Sequence, residues 1–195
     1  DSFTSKNILV TGGTGLIGRQ VVDILGPTGA NIKIVSLDKL KINQDIEHVF
    51  GDLTDFDFCK VVCSDIDYVF HIAGIGASVK AAKEKIASHF VPMLMMNTNV
   101  LEASRLNKVE KVVYTSSVGA YEHAEIFRES EYKLDSMPMD FAGWAKRMAE
   151  EQVYAYKVEY GLEGYAVVRP SNVYGPGDNF NPISSLVIPS LIYRI

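Results

Sequence analysis

Three glycines, Gly12, Gly15 and Gly18, stand at a regular spacing in the run Val10-Thr11-Gly12-Gly13-Thr14-Gly15-Leu16-Ile17-Gly18. Residues without side chains do one kind of chemistry well: they bare main-chain N–H groups to a phosphate anion. A Cβ at Gly12 would obstruct a tight turn. One at Gly15 would hold phosphates away, and one at Gly18 would push a following helix off the strand before it. Asp38 lies about twenty residues after Gly18, where a carboxylate meets the ribose hydroxyls of an adenosine. Such a carboxylate repels a 2′-phosphate and so selects NAD over NADP; Lys39 and Lys41 beside it soften that preference. Asp52, ahead of Leu53, is placed either to accept from an adenine amino group or to cap the helix that starts near Asp55.

These groups need a strand before the glycines and a helix after them. Asn7-Ile8-Leu9-Val10 is short and apolar, a buried strand, and Ile17, Val21, Val22, Ile24 and Leu25 recur at helical spacing. Gly26-Pro27-Thr28-Gly29 breaks that helix. Further strands are predicted over 32–38, 46–50, 67–72, 109–116 and 162–168, with long helices over about 83–107 and 142–160. Pro92 either kinks the first of these helices or marks its start. Small residues at Ala73-Gly74-Ile75-Gly76, after the fourth strand, let backbone pass close to a pyrophosphate and ribose. His71 reads as a satisfied core histidine. The alternation of β and α predicts an α/β fold, a doubly wound parallel sheet of Rossmann type, with its ligand crevice at the carboxyl ends of the strands.

The 195 residues, 47% of them hydrophobic, suffice for one sizeable core. A net charge of −5 argues against a nucleic-acid surface, which wants a basic stripe. No apolar run is long enough to span a bilayer, and the start, Asp1 to Lys6, lacks a signal-peptide core. Cys59 and Cys63 lack His or Cys neighbours for a metal site and read as ordinary thiols in a reducing, cytoplasmic compartment.

The motifs together resemble the extended short-chain dehydrogenases, the NAD(P)-dependent nucleotide-sugar epimerases, dehydratases and reductases. The likeness runs through Thr11 to Gly18, Gly51-Asp52-Leu53, His71-Ile72-Ala73-Gly74, Thr115-Ser116-Ser117, Gly143-Trp144-Ala145-Lys146 and Arg169-Pro170 to Gly177. Tyr174 to Phe180 with Val187-Ile188-Pro189 looks most like the GDP-L-fucose synthase branch. The resemblance implies NAD held by Gly12, Thr14, Gly15, Leu16, Ile17 and Gly18 at the pyrophosphate, by Asp38 at the ribose, and by Asp52 and Leu53 at the adenine. Ile72, Ala73, Gly74 and Thr115 follow along the cofactor, and Pro170, Asn172 and Val173 flank the nicotinamide. It also implies a nucleotide-sugar substrate and hydride transfer at a sugar carbon bearing oxygen. There Ser117 would orient the oxygen, a Tyr would move its proton, and Lys146 would hold the nicotinamide ribose and stabilise the phenolate.

Ala142 stands where the family has that Tyr, one helical turn before Lys146. Three readings of it are open: an introduced substitution that leaves an impaired enzyme, a natural enzyme with another proton donor, or a dinucleotide-binding sensor or interaction protein without turnover. Nothing in the spacing of Tyr121 or Tyr132 recommends either as a substitute. The Cys and His of the fucose-synthase branch fall on Gly119 and Leu186, which move no proton, so epimerisation through ring-carbon deprotonation is not expected, while simple redox at one carbon or redox-driven epimerisation at C4 stays open. Residues 1–177 then form the NAD-binding domain, and 178–195 begin a substrate-binding domain largely absent from this chain. The two long helices imply a homodimer, with Leu94, Met95, Leu101, Met148, Val153 and Tyr156 as candidate contacts.

Overall fold

The computed structural model describes residues 2–75, 84–181 and 185–195. Gly76 and the expected helix start near Lys83 lie outside the described residues. In chain order the elements are β1 (Asn7–Thr11), α1 (Leu16–Leu25), β2 (Asn31–Ser36), β3 (Glu47–Phe50), α2 (Phe56–Val62), β4 (Tyr68–His71), α3 (Ile86–Leu106), β5 (Lys111–Thr115), α4 (Phe141–Tyr160), β6 (Tyr165–Val168) and α5 (Val187–Tyr193). The six strands form one sheet in the order β3-β2-β1-β4-β5-β6, and every pairing is parallel. Strand order reverses between β1 and β4, which opens a crevice at their carboxyl ends.

Alternation along the strands builds a core on each face. Ile8 and Val10 of β1 join Ile34 of β2 and Tyr68 of β4 under α1, which presents Val22 and Leu25. Leu9, Val35, Val69, Val112 and Tyr114 face the other way, onto α2, α3 and α4. Strand ends differ from expectation where polar contacts turn the chain. β2 stops at Ser36 because Ser36 Oγ donates to the Asp38 carbonyl at 2.9 Å and Leu40 N–H to the Asp38 carboxylate at 3.1 Å. β5 starts at Lys111, since Val109 N–H still serves the Ser104 carbonyl at the end of α3. β6 starts at Tyr165, after the turn in which Gly161 takes φ +66°.

Pro92 lies inside α3, which begins at Ile86, so the proline is not its start. Among the six candidate dimer contacts, Leu101 and Val153 are buried in the chain's own core, and Leu94 and Tyr156 pack against it. Only Met95 and Met148 are left exposed. The other four face inward because α3 and α4 pack against the sheet side by side.

Candidate functional site

The crevice is a cleft of about 610 Å³, walled by the segments that follow all six strands and by the first turn of α1. Its floor is the glycine turn. Gly12 takes φ +68°, and a Cβ there would come within 2.8 Å of Ala73 Cα, so this position needs glycine on both counts. At Gly18 an added Cβ would collide with the Gly12 carbonyl, which locks α1 onto the end of β1. Gly15 is different: its added Cβ would meet only Gly12 O, at 3.3 Å, and otherwise faces the open cleft. Gly13, which the spacing did not single out, packs on β2, where a Cβ would lie 2.7 Å from Ile34 Cγ2. No side chain caps α1, and its first turn holds no acidic residue. Its leading N–H groups therefore meet the cleft with the positive end of the helix dipole behind them, which suits a pyrophosphate.

At one end of the cleft stands Asp38. Thr14 of the glycine turn donates to its Oδ2 at 2.7 Å, so the carboxylate is fixed relative to the phosphate cradle. Arg19 Nε donates to the Thr14 carbonyl at 2.6 Å and braces the same turn. Asp52 and Leu53 line the wall beside it. Asp52 does not cap α2: its Oδ1 closes a local turn onto Thr54 N–H at 2.8 Å, and Asp55 accepts from Asp57 and Phe58 N–H instead. The capping alternative thus falls to the residue three positions on, where the helix begins.

The other end joins Ile72, Ala73 and Gly74 after β4, Thr115 to Ser117 after β5, Lys146 on α4, and Pro170, Asn172 and Val173 after β6. Lys146 Nζ donates to the Thr115 carbonyl at 2.7 Å. Burial pulls its pKa down to about 8, against an opposing pull from Glu150, so the amine still carries its proton at neutral pH. Ser117 Oγ accepts from Gly119 N–H at 3.1 Å, which leaves its own proton to donate.

Ala142 is exposed in the first turn of α4 and is not part of the cleft wall. No tyrosine lines the cleft among the described residues. Tyr132 is engaged elsewhere: its hydroxyl donates to Glu150, and burial with that carboxylate pushes the phenol up to about 12. Tyr121 packs edge-on to Tyr132 with centroids 4.6 Å apart. His71 is buried with both ring nitrogens hydrogen-bonded, to Thr11 at 2.7 Å and Asn97 at 3.0 Å. Burial holds its pKa at about 3, so it is neutral.

Sequence reasoning missed the polar cluster behind this end. Glu150, 2% exposed, accepts from Ser116 Oγ, Tyr132 OH and both Nε and Nη2 of Arg169, each of the latter at 3.0 Å. Arg147, 1% exposed, lies 3.9 Å from the same carboxylate and donates to the carbonyls of Ala120, Leu134 and Ser136. The available signal was Glu150 standing one helical turn after Lys146.

The chain has clear relatives. The pattern of the NAD dependent epimerase/dehydratase family matches residues 8–195. A putative UDP-glucose 4-epimerase of Methanocaldococcus jannaschii is 33% identical over 175 residues, covering 86% of this chain and 56% of that protein. A probable GDP-L-fucose synthase of Drosophila melanogaster is 27% identical, covering 97% of this chain and 58% of that protein. Among solved structures, the UDP-N-acetylglucosamine 4-epimerase of Methanobrevibacter ruminantium in complex with UDP-N-acetylmuramic acid superposes with a TM-score of 0.82 at 28% identity, covering 97% of this chain and 62% of that one. The chain therefore spans a little more than half the length of the curated relatives it matches.

Proposed function

The chain belongs to the NAD-dependent epimerase/dehydratase family, and on that premise we propose that it is the NAD-binding part of a nucleotide-sugar epimerase, dehydratase or reductase in which alanine stands where the phenol of such enzymes stands. The observation that carries this reading is the convergence of the bare glycine turn, Asp38, Ser117 and a buried Lys146 in one cleft. The N–H groups at the start of α1 hold the pyrophosphate, with Thr14 fixing the turn to Asp38. Asp38 accepts from the adenosine ribose, and Asp52 and Leu53 frame the adenine. Lys146 holds the nicotinamide ribose beside Thr115, while Gly74 leaves room for it and Pro170, Asn172 and Val173 flank the ring. Bound NAD supplies the hydride acceptor. Ser117 donates to the oxygen of the sugar carbon that reacts. Residues 1–177 form this cofactor domain and 178–195 begin the part that shapes the sugar pocket. A homodimer through α3 and α4, with Met95 and Met148 in contact, and a cytoplasmic setting that leaves the buried Cys59 and Cys63 reduced, complete the reading.

Calorimetric titration of NAD tests the binding half: uptake is expected, Asp38→Ala weakens it, and folded chain that takes up none overturns the reading. Ala142→Tyr tests the chemistry. Restoring a general acid–base raises turnover of a nucleotide sugar, followed by the absorbance of reduced nicotinamide, by about 10²–10⁴-fold. The exposure of Ala142 outside the cleft wall favours a second reading, a dinucleotide-binding sensor or interaction protein. Turnover unchanged by the tyrosine, with NAD still bound, decides for it.

A further inference from the structure

We propose that Glu150 is a positioning residue that sets three separate walls of the cleft in one register: the Ser116–Ser117 segment, the Lys146 face of α4 and the segment from Arg169 to Val173. The proposal rests on the reading of the cleft as an NAD site. Two of these walls are hydrogen-bonded to the one carboxylate, and the third is the helix that carries it. Ser116 Oγ donates to Glu150 Oε1, next to Ser117. Arg169 grips both carboxylate oxygens, immediately before Pro170. Lys146 is on the same helix one turn earlier and reaches the β5 end independently, through the Thr115 carbonyl. Two more main-chain bonds, Ser116 N–H to Val168 O at 2.8 Å and Val118 N–H to Pro170 O at 3.1 Å, join the β5 and β6 ends, so a shift at Glu150 moves them together.

A buried carboxylate gripped by arginines adds little stability over an apolar filling of the same volume, so its worth here is geometric. It also acts on Lys146 through space. The titratable and charged groups facing Lys146 are Glu150 on its own helix, Tyr114 on β5 and His71 on β4. Burial keeps Tyr114 protonated and His71 neutral, so Glu150 supplies the opposing charge that keeps the amine protonated.

The test is NAD affinity measured by calorimetry across pH, on the chain as it stands and on Glu150→Gln, with thermal unfolding recorded beside it. In the parent chain affinity falls as the pH rises through about 8, where Lys146 loses its proton. Glu150→Gln is expected to bind NAD about tenfold more weakly at neutral pH, the size of one lost charge-assisted hydrogen bond. The alkaline fall moves to lower pH. A purely structural role would lower the unfolding temperature without moving that limb. Should Glu150→Gln not fold, Arg169→Gln serves: it keeps the carboxylate and removes a cation, so affinity drops while the alkaline limb stays or moves up. NAD affinity and pH profile unchanged in a folded Glu150→Gln, or affinity unchanged in Arg169→Gln, overturn the proposal. Absence of NAD uptake by the parent chain overturns instead the reading of the cleft itself.

Discussion

The two ends of the cleft are built on opposite principles. The glycine end comes from neighbouring residues, 12–18, and works by what is missing: side chains at Gly12 and Gly18 would strike backbone. The Lys146 end gathers residues from β5, α4 and β6 and works by what is present, a buried carboxylate with the buried Arg147 and the half-buried Arg169 beside it. At Gly12 and Gly18 the first leaves no room for an added Cβ, whereas the second rests on charges paired with one another. One hydrogen-bonded chain links them. Asn97 Nδ2 donates to Tyr114 OH at 3.0 Å and to the Ala145 carbonyl at 3.3 Å, so its Oδ1 accepts from His71 Nε2–H. Nδ1 then accepts from the Thr11 hydroxyl, whose oxygen receives Ile72 and Ala73 N–H at 3.2 Å. Thr11 directly precedes the glycine turn and Ala145 directly precedes Lys146, so the neutral histidine spans the two halves.

The contrast can be broken from either side. The largest loss is expected from Arg147→Ala, which strips three carbonyls of their donor and leaves Glu150 short of a cation. Urea denaturation should show about 3–5 kcal/mol less stability. Binding of ADP, which the proposed reading seats at the glycine end alone, should persist in the folded fraction. Gly18→Ala reverses the pattern: an overpacking cost of about 1–3 kcal/mol, with ADP and NAD uptake lost. ADP binding at parental affinity would show that the turn can give way. The smallest effect per step is acid sensitivity through His71, which touches both ends. Its pKa is about 3 folded against an ordinary 6.5. The unfolded chain therefore takes up the proton first, and stability is lost as the pH falls below about 6.5. The slope is about 1.4 kcal/mol per pH unit until the folded pKa is reached. Unfolding midpoints across that range measure it, and a His71→Gln chain should lose that part of the slope.

The sequence by itself determined the sheet and the glycine end. Strand alternation, the glycine spacing and an acid at the end of the second strand are all local signals, and each reports a constraint that acts between near neighbours in the chain. The site of Lys146 was legible only as one member of a motif. That its amine would reach the Thr115 carbonyl and that Ala142 would sit exposed outside the cleft wall depended on how helices settle against the sheet. Tertiary structure alone decided the cluster around Glu150. Its partners are Ser116, Tyr132, Arg147 and Arg169, and all but Arg147 come from segments remote from it in sequence. A buried charge is stable only when folding delivers its counter-charges from distant segments at once, and no spacing rule records that meeting.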